Sequence, residues 1–389
     1  MRSFIRASTS STRTVGWTLL LLLAVTEPAA PATSPALAKR IQLADGFDAR
    51  TIMVQGKRFT EPGVFPGQPD LITVFPQPDG GTVLYISHEI EEADGAVGHA
   101  SLSRIALGPD GHVIQSGTVA KGQRNLCSGT VTPWGTVLTC EEYPRSGMMA
   151  EGYVWEFDPN MGGITRLDAL GRFSHESAAF DQAGRCYLTE DSEPGHLFRF
   201  TPNPLGQLHT GILEVLDARN RRWVRIREPQ KANREAKDLG ASAALPRPEG
   251  IHPWPGGGFA VALTGEEGTR DKLGRVVRLN PDRAELTDVI RGDPSTLIQP
   301  DNLRFRPGGW MYICEDRFPS YLSAYGPNRV LAATPDGKVI KVLATIPQGE
   351  PAGIIFHPDG KRCYLNIQDE TESLTLEITG PFADWEKPE

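Results

Sequence analysis

Membrane-spanning length, positive charge and cysteine are all scarce in this chain, and each scarcity removes a class of function. The apolar run near the N-terminus, Val15 to Val25 with Leu19 to Leu23 at its centre, has 11 residues, against the roughly 20 that a transmembrane helix requires. Lys and Arg total 40 against 48 Asp and Glu, a net charge of −8, and no basic stripe is interleaved with aromatic residues. A surface of that sign repels a phosphate backbone, so nucleic acid is not an expected partner. The five cysteines, Cys127, Cys140, Cys186, Cys314 and Cys363, form an odd set, so at least one thiol is free, bound to something or bridged to another chain. There is no GxSxG elbow, P-loop, HExxH or CxxC pair, which takes away the usual supports for a serine hydrolase, a nucleotide kinase or a zinc peptidase.

What the chain has in excess is turn formers. Its 41 Gly and 32 Pro imply many tight turns between short strands and favour an all-β domain. The first 38 residues read differently. Arg2, Arg6 and Arg13 precede the apolar run, and small residues follow it down to Ala36-Leu37-Ala38, the three-part layout of a secretory signal. The sequence therefore predicts a signal peptide over residues 1–38, cleaved near Ala38, with a retained N-terminal anchor as the alternative. The product is expected to be periplasmic or secreted, without stable membrane insertion. Its 37 basic residues against 47 acidic ones make a net charge of −10, a balance that concentrates divalent cations.

A weak internal repeat decides the architecture. Its first part opens on a polar or acidic residue and runs into a Pro/Gly turn: PDLITVFPQPDGG from Pro69, CSGTVTPWG from Cys127, HESAAFDQAG from His175, PEGIHPWPGG from Pro248, PDNLRFRPGG from Pro300 and EPAGIIFHPDG from Glu350. Its second part is an apolar strand with a polar or acidic end, from VLYISHE at Glu89 and VLTCEE at Glu142 to CYLNIQD at Asp369. A third part alternates apolar and polar residues before a turn, as in YVWEFDP from Tyr153 and LFRFTP from Leu197. The corresponding strand ends, Glu89, Glu141, Glu190, Glu266, Glu315 and Gln368, lie 52, 49, 76, 49 and 53 residues apart. One unit thus carries an insertion, read at about 214–246. Six units of one period predict an all-β, six-bladed β-propeller as a single domain over residues 39–389, with a β-sandwich as the structural alternative.

In a propeller the innermost strand of each blade starts at the face where the second strand ends, so residues from both positions meet at one mouth of the channel. The repeat would gather there Glu176, Glu249, Asp301 and Glu350 from strand starts, with Glu89, Glu141, Glu142, Glu190, Asp191, Glu315 and Asp316 from strand ends. One such acid alone is ordinarily a solvated strand end. A set recurring in nearly every blade needs cations or shared protons to coexist, and carboxylate oxygens suit Ca2+, Mg2+ or Mn2+. Cys140 either adds a softer donor, suited to a transition metal such as iron, or forms a disulfide with Cys127; spacing leaves both open. His88 and His175 each precede a mouth acid and could serve as acid/base groups, although a lone histidine is more often structural. Arg124, Arg172, Arg247, Arg275 and Arg317 flank the same segments, where a guanidinium grips a phosphate or carboxylate or simply pairs with the acids.

The segment CSGTVTPWGTVLTCEE, Cys127 to Glu142, with GRFSHESAAFD from Gly171, YLTED from Tyr187, RPEGI from Arg247, PDNL from Pro300 and CED from Cys314, resembles the PhoX-type alkaline phosphatases in order and spacing from about His88 to Gln368. The resemblance implies an exported, metal-dependent phosphoric monoester hydrolase whose mouth holds Fe3+ and Ca2+ ions bridged by an oxo group. It implies that the cysteine of TCEE, here Cys140, is an iron ligand and that Cys127 is free or structural. Repeat and resemblance together give an expected metal set of Cys140, Glu89, Glu141, Glu142, Glu176, Glu190, Glu249, Asp301, Glu315 and Glu350. The expected catalytic set is His175, Arg172, Arg247 and Arg317, the arginines stabilising equatorial phosphoryl oxygens. The partner is then a small-molecule phosphate ester, and a monomer is favoured. Two other readings share the fold: a calcium-dependent esterase or lactonase with His88 or His175 as base, and a non-catalytic propeller whose acids hold structural calcium.

Overall fold

A computed structural model describes residues 33–90, 100–142, 152–240 and 245–387; the expected signal peptide lies outside these residues up to position 32. Residues just before the expected cleavage point are built into the fold. The Thr33 amide donates to Asp48 Oδ1 at 3.0 Å, and Leu37 packs in the core, so cleavage at Ala38 would remove both contacts.

Among the described residues the strands form six antiparallel sheets in chain order, each running from an inner to an outer strand. The inner and second strands are Pro69–Pro76 and Thr82–His88 in blade one, Leu126–Val131 and Val137–Glu141 in blade two, and His175–Phe180 and Cys186–Glu190 in blade three. They are Pro248–Pro253 and Phe259–Leu263 in blade four, Pro300–Phe305 and Met311–Glu315 in blade five, and Glu350–Phe356 and Arg362–Gln368 in blade six. Each inner strand packs against the next in chain order, and the sixth returns to the first. The ring is a six-bladed β-propeller.

The start of the chain closes it. Asp48–Val54 pairs with Leu374–Thr379 as the outer strand of blade six, and Gln42–Leu43 adds an edge to blade five. Hydrogen bonds between the two ends of the chain thus replace an open sheet edge. The expected insertion contains the fifth strand of blade three, Arg222–Arg225, and the helix Ala232–Asp238.

Six apolar clusters fill the six blade interfaces. Between blades two and three, Phe173 stacks on Phe198 with ring centroids 4.2 Å apart. Truncating Phe198 to Ala would cost about 3–5 kcal/mol.

One irregularity recurs in every blade. Two consecutive residues of each inner strand oppose a single residue of the second: Asp70-Leu71, Cys127-Ser128, Glu176-Ser177, Glu249-Gly250, Asp301-Asn302 and Gly353-Ile354. Such a bulge bends the strand and re-aims a side chain. Here it turns the first bulge residue of five blades into the channel mouth. Blade six has Gly353 there because a Cβ would lie 1.8 Å from the Asp70 carbonyl oxygen.

Candidate metal centre and phosphate clamp

Four of the six mouth positions are built by the same backbone device. The residue before the inner strand takes a left-handed conformation in Gln68, Asn125, Arg247 and Gln299, with φ of 47°, 44°, 49° and 50°, which costs of order 1–3 kcal/mol for a non-glycine residue. Its carbonyl accepts the amide of the first residue past the second strand: Glu89 to Gln68 at 2.9 Å, Glu142 to Asn125 at 3.1 Å, Thr264 to Arg247 at 3.0 Å and Asp316 to Gln299 at 2.9 Å. Asp191 donates likewise to Ser174 at 3.2 Å. Strand start and strand end are thereby clamped at one height. Ser87 ties neighbouring bulges together, accepting the Leu71 amide at 2.8 Å and donating to the Cys127 carbonyl at 2.7 Å.

The result is a cavity of about 490 Å3 lined by Asp70, Glu89, Asn125, Cys127, Glu142, Glu176, Arg247, Glu249, Asp301, Asp316 and Glu350. Ligand atoms fall into three overlapping triplets, each within 4.8 Å: Asp70, Glu89 and Cys127; Cys127, Glu142 and Glu176; Glu176, Glu249 and Asp301. Cys127 links the first two and Glu176 the last two. Burial is the first cause that raises the carboxyl pKa of Asp70, Glu89, Glu142, Glu176, Glu249, Asp301 and Glu350. Neighbouring acids add to it, as Glu249 does for Glu176 and Glu350 for Asp301. The Cys127 thiol is pushed well up by burial and then by Asp70 and Glu176. Asp70 Oδ1 and Glu176 Oε1 are buried without a hydrogen-bond donor, a costly state for a carboxylate that a cation would relieve.

Among the described residues Arg247 is the one cation lining the cavity. Its Nε and Nη2 donate to Asp191 at 2.8 and 2.9 Å, Nη2 also pairs with Glu249 at 2.5 Å, and its guanidinium lies 5.5 Å from the Phe318 ring centre. Nη1 is buried without a hydrogen-bond partner.

Of the expected metal set, Glu89, Glu142, Glu176, Glu249, Asp301 and Glu350 line the cavity. Cys140, Glu141, Glu190 and Glu315 do not, and for the three acids the reason is register. The last ladder residue of a second strand faces the blade interface, and the residue after it faces the mouth, because side chains alternate along a strand. Cys140 is wholly buried in the apolar cluster between blades two and three. Glu141 accepts the amides of Arg124 and Tyr153, Glu190 is held by His196 and Asn233, and Glu315 pairs with Arg317 and Arg329. The alternative disulfide is also absent: Cys127 and Cys140 are free thiols, aimed to different sides of their hairpin.

Of the expected catalytic set, only Arg247 reaches the cavity. Arg317 donates to Glu315 and to the carbonyls of Tyr325 and Gly326. The Arg172 guanidinium lies 5.7 Å from the Tyr153 ring and is not among the lining residues. His175 is buried beside Phe173 with its ring hydrogen-bonded to Gly171 O, and His88 is held by Gly67 O and Ser103. Burial lowers both imidazole pKa values to about 3, and neither ring lines the cavity.

Asp70 and Asn125 as lining residues and Cys127 as a candidate ligand went unread in the sequence. Asp70 had a usable signal: Pro69-Asp70 repeats the Pro248-Glu249 and Pro300-Asp301 pairs. The motif CSGTVTPWGTVLTCEE also becomes intelligible, since it runs down one strand and up the next, bringing Cys127 and Glu142 together at the mouth. Its TPWG centre is the far turn, where Thr132 and Thr136 hydroxyls bond at 2.8 Å and Trp134 Nε1 donates to Glu156 at 2.9 Å.

The chain resembles two solved propellers. Pseudomonas fluorescens PhoX in complex with vanadate, a transition state analogue, matches with a TM-score of 0.71 and 18% identity over 88% of this chain and 96% of that one. The PQQ domain of pyranose dehydrogenase from Coprinopsis cinerea matches with a TM-score of 0.54 and 13% identity over 90% and 99%. At these identities the likeness carries the fold alone. No curated protein sequence matches the chain. The sequence model of alkaline phosphatase PhoX matches residues 103–370, more than half of the chain, and the chain therefore belongs to the PhoX family of alkaline phosphatases and is a phosphatase.

Proposed function

We propose that the chain hydrolyses small-molecule phosphomonoesters at the acidic mouth, with cations held by the three overlapping triplets. The donor chemistry carries the reading. Buried carboxylates of one sign, two of them with oxygens no donor satisfies, require compensating cations. The two triplets that contain Cys127 offer sulfur with oxygen and suit Fe3+, whereas Glu176, Glu249 and Asp301 offer oxygen only and suit Ca2+. Bound there, such cations supply Lewis acidity toward the phosphoryl oxygens.

The chain itself supplies the clamp. Asp191, Glu249 and the Phe318 ring fix the Arg247 guanidinium before substrate arrives, and Nη1 is the donor left for an equatorial phosphoryl oxygen. A donor placed in advance needs little reorganisation as charge develops on that oxygen. Asn125 lines the same cavity and can add a neutral donor. The N-terminal layout supports export to the periplasm or beyond, where Ca2+ is plentiful.

The test is hydrolysis of an aryl phosphate by purified protein with and without added Ca2+. Calcium-stimulated phosphate release that drops in Arg247→Ala supports the reading; absence of release under both conditions overturns it.

A further inference from the structure

We propose that the aromatic row Phe318, Tyr321 and Tyr325 makes this mouth selective for phosphomonoesters whose alcohol carries an aromatic ring. The inference rests on the phosphomonoesterase reading above and adds the leaving-group class to it.

The row begins at the clamp. Past Asp316, the blade-five chain passes through Arg317 and Phe318 into the helix Pro319–Tyr325. The Phe318 ring lies against the Arg247 guanidinium. It stacks on Tyr321 with centroids 6.2 Å apart and planes at 28°, and Tyr321 continues to Tyr325 at 5.8 Å and 34°. Phe318 is half-buried, Tyr321 is buried and Tyr325 is 39% exposed, so the row meets solvent at its two ends, the first of them at the phosphate clamp.

The row is also held rigidly. The Phe318 amide donates to Gln299 Oε1 at 2.7 Å. Arg317 Nη1 donates to the carbonyls of Tyr325 and Gly326 at 2.9 Å each, tying the far end of the helix to its start. Ser320 Oγ donates to Glu267, fixing the loop to blade four. Phe318 lies beside the group that grips phosphate, just outside the residues that line the cavity. A phosphoryl group on Arg247 directs its ester substituent out of the cavity past that ring. A polyol gains little against an apolar ring, whereas a planar ring gains stacking area. The substrate class is a nucleoside monophosphate or an aryl phosphate.

Adenosine 5′-monophosphate and ribose 5-phosphate share the same primary-alcohol leaving group, so a difference between them reports the ring. The expected kcat/KM ratio is about tenfold in favour of the nucleotide, carried by KM. Phe318→Leu should bring the ratio close to one, and Phe318→Tyr should restore it. Equal kcat/KM for the two esters in the unmodified protein, or a ratio unmoved by Phe318→Leu, overturns the proposal. Hydrolysis of neither ester overturns the phosphatase reading and this proposal with it, a distinct outcome. Should Phe318→Leu fail to fold, inhibition of aryl phosphate hydrolysis decides: adenosine acting at about tenfold lower concentration than ribose supports the proposal, and equal inhibition overturns it.

Discussion

Cys127 Sγ donates to Glu176 Oε2 across 3.0 Å, joining the first bulge residues of blades two and three. The bond crosses a blade interface, so the ligand set is a property of the assembled ring rather than of any one hairpin. Glu176 is also the residue common to the second and third triplets. Glu176→Gln should therefore have opposite effects in two states. The metal-loaded variant should melt below the metal-loaded unmodified protein and lose roughly a hundredfold in activity, while the chelated variant should melt above the chelated unmodified protein, because one buried charge has been removed from a like-charged cluster. Thermal unfolding with and without chelator checks both signs.

Chelation of the unmodified protein should lower its melting temperature. A cation present at about 100 times its Kd stabilises by about 2.7 kcal/mol, roughly 5 °C for a chain of this size. Re-addition of Ca2+ alone should recover part of the shift, and Ca2+ with Fe3+ the rest. Differential scanning calorimetry on the three states makes the comparison.

Arg247→Lys keeps a charge but loses the fork that Asp191 and Glu249 grip. The expected loss in kcat/KM is about 10²- to 10³-fold. Asp191→Asn should cost less, since it weakens the clamp without removing the donor. Steady-state kinetics on an aryl phosphate separate the two.

Glu315 illustrates the opposite kind of acid. It is wholly buried and bonded to Arg317, Arg329 and the Ile298 amide, so Glu315→Ala leaves two guanidinium groups without their partner. A loss of about 3–5 kcal/mol in stability is expected, with metal content per folded molecule unchanged. Urea unfolding beside elemental analysis tests this.

The architecture was legible because the six matched strand starts and strand ends carry the period directly. The same repeat gathered Glu89, Glu142, Glu176, Glu249, Asp301 and Glu350 at one mouth, and all six line the cavity. What the repeat could not show was which of two adjacent acids faces the channel. In VLTCEE, CYLTED and MYICED both terminal acids look equivalent, yet a one-residue step on a strand reverses the side chain, so Glu141, Glu190 and Glu315 turn inward and Glu142 and Asp316 outward. Cys127 and Cys140 were confused for a different reason. The bulge that aims Cys127 at the mouth is a backbone irregularity with no residue signature of its own, and only the ring shows that it recurs at Asp70 and Glu176. Arg317 was misplaced because its partners, the carbonyls of Tyr325 and Gly326, are set by a helix of one short loop.

The most direct test of the central claim, a metal centre anchored on Cys127, is elemental analysis with a visible spectrum of the purified protein, Cys127→Ser and Cys140→Ser. The account predicts iron and calcium in the unmodified protein and in Cys140→Ser, with a thiolate-to-iron charge-transfer band that Cys127→Ser abolishes. A band that survives in Cys127→Ser and vanishes in Cys140→Ser, or protein that takes up neither ion, would contradict it.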